Sequence, residues 1–303
     1  MECRDCGLCW LNPRPLPSES AKLYEAYPTH RRSEAGTPIL ALARRAVVDS
    51  ILAARLGYTS LARGQLNLAL GWLASLLPIA YEGAMLDVMG LHASSRGRLL
   101  DVGCGNGAFL AKMRDLGWEV VGVEPDPKAA RVAREDFGVA VFQGRLEEAG
   151  LSDGSLDTIT MHHVIEHISD PVDVLRECYR ILKPSGILVI VTPNLNALGR
   201  HLMGISWRGW EVPRHFTLFT PGALRACVEE AGFHVRTLRT VIRSARWIWA
   251  ASRLMGKFNK IPERTAGFQR WRLRLEGFVF QLLEYTVNPF GLGEETFLVA
   301  TKV

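Results

Sequence analysis

Two carboxylates bracket a glycine loop in this chain, and a set of histidines follows them. Residues 99–110, LLDVGCGNGAFL, place Asp101 ahead of Gly103, Gly105 and Gly107. Glu124 ends the next apolar run, WEVVGVE, about 20 residues further on. Glycines carry no Cβ, so a ligand can come close to the main chain there, and a carboxylate placed like Glu124 can accept both hydroxyls of a ribose. Beyond them come His162, His163, His167 and His215, the one side-chain type whose ordinary titration falls near neutral pH.

Gly103, Gly105 and Ala108 also satisfy the G-x-G-x-x-G/A spacing, so NAD(P) and S-adenosylmethionine both come into question for the loop. Asp101 separates them. A carboxylate just before the loop repels a pyrophosphate and favours an ammonium or a sulfonium. One such charge pair at ~4 Å and an effective dielectric near 20 is worth about 4 kcal/mol before desolvation. The competing role for Asp101 is to hold the loop through backbone amides. The charge argument favours the cationic, phosphate-free cofactor.

These residues need rigid elements beneath them. From residue 98 the apolar pattern shortens to strand length, in RLLDVG, WEVVGVE, VAVFQG, LDTITMHH and GILVIVTPN. Between the strands, AFLAKMRDLG, DPKAARVAREDFG and DPVDVLRECYRILKPSG read as helices. Asp126–Pro127 and Asp170–Pro171 are N-cap and N1 pairs, and Gly117, Gly138 and Gly186 close helices or their loops. TPGALRACVEEAGF continues as a helix, HVRTLRTV as a strand, and EETFLVATKV supplies a last strand. Such alternation indicates a doubly wound α/β fold with a largely parallel sheet, its ligand loop outside the carboxyl ends of the strands.

Two segments are extra to that pattern. In the first, TPILALARRAVVDSILAARLG and QLNLALGWLASLLPIAY read as helices. The second of these has no charged residue from 65 to 81, yet it contains Gly71 and Pro78 and falls short of the ~20 apolar residues of a spanning helix. A buried or interfacial helix is expected. Residues 243–290 are basic and aromatic, with Arg243, Arg246, Trp247, Trp249, Arg253, Lys257 and Lys260 ahead of FQRWRLRLEGFVFQLLEY.

Taken together, DVGCGNG, VEPD, SLDTITMHHVIEHISDP and LKPSGILVIVTPN resemble, in order and spacing, the class I S-adenosylmethionine-dependent methyltransferases. The resemblance is greatest to the branch that holds the ubiquinone-biosynthesis O-methyltransferases, and it covers residues 97–240 and the last strand. It implies a Rossmann-like, seven-stranded, mostly parallel sheet, with helical insertions forming a cap. The chain then divides into a ribbon-like amino-terminal segment (1–36), a helical cap (37–96), a methyltransferase core (97–242 with 291–303) and a basic aromatic insertion (243–290). Asp101, Gly103, Cys104, Gly105 and Gly107 would wrap the methionine end of the cofactor. Glu124 would hold the ribose, Pro125 and Asp126 would lie beside the adenine, Leu146 would flank it after Gly144 and Arg145, and His162 would lie over the methionine moiety. Gln143 stands where relatives often carry an acid.

A sulfonium is already a good methyl donor, so the protein mainly aligns the acceptor with it. A hydroxyl acceptor also loses a proton, and His163 and His215 are the candidate bases. His167, in VIEHISDP, is as much a structural residue as a chemical one. Cys3, Cys6 and Cys9 crowd the start of the chain; CRDCG followed by NPRP resembles the second half of a zinc ribbon, but one C-x-x-C knuckle is short of four ligands, so no metal is expected.

At 303 residues, 48% hydrophobic and 22% charged, the chain is globular and not disordered. A net charge of +5 and a pI near 9.0 permit an anionic partner. No dense basic run or recognition motif points to nucleic acid. The expected acceptor is a small molecule or a lipid- or glycan-linked group. The insertions at 37–95 and 243–290 would serve as a lid or as a peripheral membrane surface. MECRDCGLCW lacks the apolar core of a signal peptide, and a cytoplasmic enzyme, at most peripheral to the inner face of the membrane, is expected. Two rivals remain at this point: an NAD(P)-dependent oxidoreductase, and an adenosyl-binding module without chemistry.

Overall fold

The computed structural model describes residues 1–15, 38–62, 64–258 and 267–303. Residues 16–36 of the amino-terminal segment, and Lys260 of the basic insertion, lie outside the described residues. In chain order the elements are β1 (Cys9–Trp10), α1 (Pro38–Leu56), α2 (Gln65–Ala74), α3 (Pro78–Leu86), β2 (Arg98–Val102), α4 (Ala108–Asp115), β3 (Glu119–Glu124), α5 (Pro127–Phe137) and β4 (Val141–Gln143). There follow β5 (Leu156–His162), α6 (Pro171–Ile181), β6 (Leu182–Pro193), α7 (Leu198–Met203), β7 (Thr217–Leu218), α8 (Pro221–Glu230), β8 (Phe233–Val241), α9 (Ala245–Phe258), α10 (Gly267–Val287) and β9 (Glu295–Lys302).

Seven strands form one sheet in the order β4-β3-β2-β5-β6-β9-β8. β2, β3 and β4 are parallel, with Asp101 opposite Gly122 and Glu124 opposite Gln143. β9 runs antiparallel to both of its neighbours, which brings Glu295 level with Pro193 of β6 and Val241 of β8. The chain moves outward from β2 to β4 and then returns to β2's other side as β5. That reversal is the switch point where open α/β sheets bind ligands. The Gly103–Gly107 loop leaves the sheet there.

The chain divides into two compact units. One takes in the described residues of Tyr24–Thr160 with Ile181–Lys183. Its core joins Leu99 and Leu100 of β2 to Leu110 and Met113 of α4 and to Ala129, Ala130 and Ala133 of α5, all buried. Small residues on α5 allow a close approach. The side of Gly107 where a Cβ would stand faces Ala133 and Val139, both 2.8 Å away. Ahead of this core, Ile51, Leu52 and Leu56 bury one side of α1. Tyr58 then fixes that segment, its hydroxyl donating to the Leu91 carbonyl (3.0 Å) and accepting from Trp118 Nε1 (3.2 Å).

The uncharged run from 65 to 81 is not one helix. It breaks after Ala74, and Pro78 opens α3 at an angle of 112° to α2. Among the described residues no single helix is long and apolar enough to cross a membrane. Leu66, Leu70, Trp72, Leu73, Leu76 and Leu77 remain exposed.

The second unit takes in the described residues of Met1–Leu23, Met161–Arg180 and Pro184–Val303. Leu188–Val191 of β6, Leu298 and Ala300 of β9, and Leu224 and Val228 of α8 form its buried centre. A smaller cluster gathers Leu195, Ala197, Trp207, Leu218 and Ile248, with Cys9 packed against it, and β1 pairs antiparallel with β7. One helix stop differs from the sequence expectation. Gly186 falls inside β6, which begins directly after α6, and the left-handed turn is made by Ser185 at φ 64. Pairing with β9 begins at Ile187.

Candidate active site

The first unit carries the residues read as a cofactor cradle. Asp101 is 5% exposed and Glu124 8%. Thr160 Oγ1 donates to Asp101 Oδ1 at 2.6 Å. Burial nevertheless pushes the Asp101 carboxyl up to about 7, and the charge of Glu124 adds to the rise. Glu124 accepts the amide of Gly105 on Oε2 and that of Asp126 on Oε1, both at 2.8 Å, so it ties the glycine loop to the start of α5. Asp126 is itself the N-cap of α5 and takes the Lys128 amide at 2.8 Å. Leu146 is buried in a short turn, and Pro125 is exposed.

Gly103 and Gly105 turn at φ 68 and 55, the left-handed region in which a Cβ is strained. Gly107 (φ 79) begins α4, and its bare side is filled by Ala133 and Val139, so this glycine sets the packing of the loop on α5. Cys104 is buried with its sulfur against Gly122, where a Cβ would stand 2.5 Å away. Burial pushes its thiol up. Its side chain faces the sheet, so any cofactor contact from Cys104 comes through its backbone.

This donor set is negative and rich in backbone amides. A buried acid whose ionisation is opposed by its surroundings suits an incoming ammonium or sulfonium, and Glu124 suits hydroxyls. A pyrophosphate fits poorly, since Asn106 Oδ1 already accepts the Ala108 amide (3.2 Å) at the start of α4. The residues fit S-adenosylmethionine.

The second unit carries the histidines. His163 sits at φ 56, donating Nδ1–H to Glu166 Oε1 at 3.2 Å and Nε2–H to Glu295 Oε1 at 2.6 Å. Glu166 is also held by Thr192 Oγ1 and Glu295 by Ser244 Oγ, each at 2.8 Å. Desolvation opposes charge on the ring, but the two carboxylates override it and hold His163 up to about 10. Glu166, also against its desolvation, is drawn down to about 2 by the hydrogen bond from His163. The two carboxylates thus favour the imidazolium form of His163. The sequence reading made His163 a candidate base; in the structure both of its ring nitrogens are engaged by carboxylates.

His215 is different. It is 7% exposed and donates Nδ1–H to the Gly209 carbonyl at 2.7 Å. Burial holds it down to about 4, outweighing Glu166. Its neutral Nε2 lies 3.6 Å from Glu211 and 4.0 Å from Glu166. His167 packs edge-on against it and donates to the Arg214 carbonyl at 3.0 Å. His162 has an open ring, yet crowding by the surrounding chain and then the charge of His163, 4.7 Å away between ring centres, hold it near 4. Sequence reasoning missed Glu166, Glu211 and Glu295. Their signal was present, for Glu295 heads an apolar strand run and Glu166 lies between the histidines of HHVIEH.

At the amino terminus, Cys3 is held below the ordinary thiol value by the amides of Cys6 and Asp5. Among the described residues these cysteines form no group of three ligand atoms.

The strand order and this cradle define a class I, Rossmann-like methyltransferase. The methyltransferase domain family matches residues 82–238, and the chain belongs to it. It is 30% identical over 167 residues to a ubiquinone biosynthesis O-methyltransferase of Cereibacter sphaeroides, covering 51% of this chain and 68% of that one. The same enzyme of Xanthomonas euvesicatoria is 33% identical over 150 residues, 46% of this chain and 63% of the relative. Among solved structures, a S-adenosylmethionine-dependent methyltransferase of Thermotoga maritima, described as a possible histamine N-methyltransferase, is similar with a TM-score of 0.50 at 22% identity, covering 78% of this chain and 96% of that chain. Phosphoethanolamine N-methyltransferase 2 of Haemonchus contortus, with S-adenosylmethionine bound, has a TM-score of 0.50 at 19% identity, covering 73% and 52%. The protein is an S-adenosylmethionine-dependent methyltransferase, and the oxidoreductase reading of the glycine loop falls.

Proposed function

We propose that this methyltransferase acts on a hydroxyl oxygen of a small, lipid-linked or glycan-linked acceptor, with His215 as the proton acceptor. When bound, S-adenosylmethionine supplies an electrophilic methyl group on a positively charged sulfur. The chain's own task is then to align the hydroxyl and take its proton. The observation that carries the reading is the state of His215: neutral, fixed in one tautomer by the Gly209 carbonyl, and with Nε2 facing Glu211 and Glu166. A proton arriving on Nε2 creates a cation that Glu166 and Glu211 favour against the burial that opposes it. The oxygen target is further supported by the curated relatives, which are O-methyltransferases. Asp101, Gly103, Gly105 and Glu124 bind the cofactor in this reading, and His163 positions Glu166 and Glu295.

The test supplies S-adenosylmethionine labelled in its methyl group to a panel of phenols, prenylated phenols and glycosides. A labelled, alkali-stable methyl ether is expected, with kcat falling about 10²–10⁴-fold in His215→Ala and His215→Asn while S-adenosylhomocysteine still binds. Label on nitrogen or carbon, or undiminished turnover in both variants, overturns the reading.

A further inference from the structure

α10 buries one side and exposes an apolar strip on the other. On the inner side Gly277, Phe280, Gln281 and Glu284 are buried. Phe280 stacks on Trp249 of α9 with ring centres 4.5 Å apart, and the bare side of Gly277 lies 3.0 Å from the Arg246 carbonyl. At about 100° per residue, Trp271, Leu275, Phe278, Val279, Leu282 and Tyr285 fall on the opposite side within an arc of about 120°. Their exposures are 61, 48, 41, 57, 44 and 45%. Phe290, just past the helix, is 79% exposed.

The charges around this strip are one-sided. On the same projection Arg274 borders one edge of the arc and Arg272 the other, with Arg270 nearby; all three are exposed. The Arg246 guanidinium rests 4.7 Å from the centre of the Phe278 ring. The acids of the helix point elsewhere. Glu276 is engaged by Arg253 of α9 and by Arg272, and Glu284 is fully buried. Among the described residues of α10, no exposed position carries a carboxylate.

A second copy meeting α10 with its own α10 could cover the apolar strip but would bring the same arginines and, among the described residues of that helix, no exposed acid to meet them. An anionic bilayer offers both halves of the match: an acyl boundary for the apolar arc, and phosphates for arginines whose stems lie along it. We propose that α10 is a membrane-docking helix that lies in the plane of an anionic phospholipid surface. The strip from Trp271 to Tyr285 corresponds to about 20 Å of contact along the helix. The proposal does not depend on which acceptor is methylated.

Co-sedimentation of the full chain with phosphatidylcholine vesicles, with and without phosphatidylglycerol, tests it. Binding about tenfold or more tighter to the anionic vesicles, weakened by salt, is expected. Leu275→Asp with Leu282→Asp should abolish it, and Arg270→Ala with Arg274→Ala should remove the preference for anionic lipid. Unchanged circular dichroism and S-adenosylhomocysteine binding verify that these surface variants fold. Failure to bind either vesicle overturns the proposal, as does binding that the α10 variants leave intact and that Leu70→Asp with Leu73→Asp removes. A dimer in sedimentation velocity that Leu275→Asp dissolves, without vesicle binding, assigns the strip to a second copy instead.

Discussion

His163 occupies a backbone region that few residues other than glycine adopt, and the strain is held by what the ring does. It is the cation between two buried acids. Replacing it with a neutral side chain leaves Glu166 and Glu295 facing each other's charge without compensation. The ring is one-third exposed, so solvent discounts the usual penalty of a broken buried pair. His163→Gln should therefore lose about 2–3 kcal/mol in urea unfolding at pH 6. The sign of the pH dependence follows from a folded-state value of about 10 against an ordinary 6.5. The stabilisation is complete below pH 6.5 and is lost as pH rises toward 10, so the gap between wild type and variant should close across that window. A gap that stays constant from pH 6 to pH 10 would show that His163 is uncharged in the folded chain.

At the scale of elements, the strands were legible because each is a short run of apolar and β-branched residues, with β2 and β3 stopped by Gly103 and Pro125, and β2, β3, β5, β8 and β9 lie where those runs lie. Pro78 marks the broken helix, whereas Gly71 lies within α2 and lets it pack closely on α1. A Cβ on Gly71 would collide with the Ser50 carbonyl, and Pro78 starts α3. The His163 network was not legible as a unit. Its members come from residues 163–166, 192, 244 and 295, and only antiparallel β9 brings Glu295 beside the ends of β6 and β8. Spacing along the chain cannot encode such a gathering. Gly107 shows the opposite limit: its identity was read as serving a ligand, and its surroundings add a packing need that the sequence did not show. Gly107→Ala combines a left-handed φ of 79 with contacts of 2.8 Å to Ala133 and Val139. It should cost about 1–3 kcal/mol by thermal unfolding. The same change at Gly150, also left-handed but with open space around it, should cost only about 1 kcal/mol.

At the scale of the whole molecule, stability and cofactor binding are linked through Asp101. Its folded-state value of about 7 lies above the ordinary 3.8, so the empty protein is favoured by protonation and loses stability as pH rises from about 4 through 7. Asp101→Asn removes that loss; it should melt above wild type at pH 8 and show a smaller gain at pH 5. The ligand reverses the balance. A cationic donor is bound best by the ionised carboxylate, so below pH 7 binding must displace a proton and affinity should fall by up to about tenfold per pH unit. A ligand at 100 times its Kd stabilises a folded protein by about 2.7 kcal/mol, which reads directly as a thermal shift. Wild type should show that shift with S-adenosylmethionine at pH 8 and a smaller one at pH 6, whereas Asp101→Asn should show a weak shift at both. A full, pH-independent shift in Asp101→Asn would remove Asp101 from the cofactor site and leave its burial unexplained by binding.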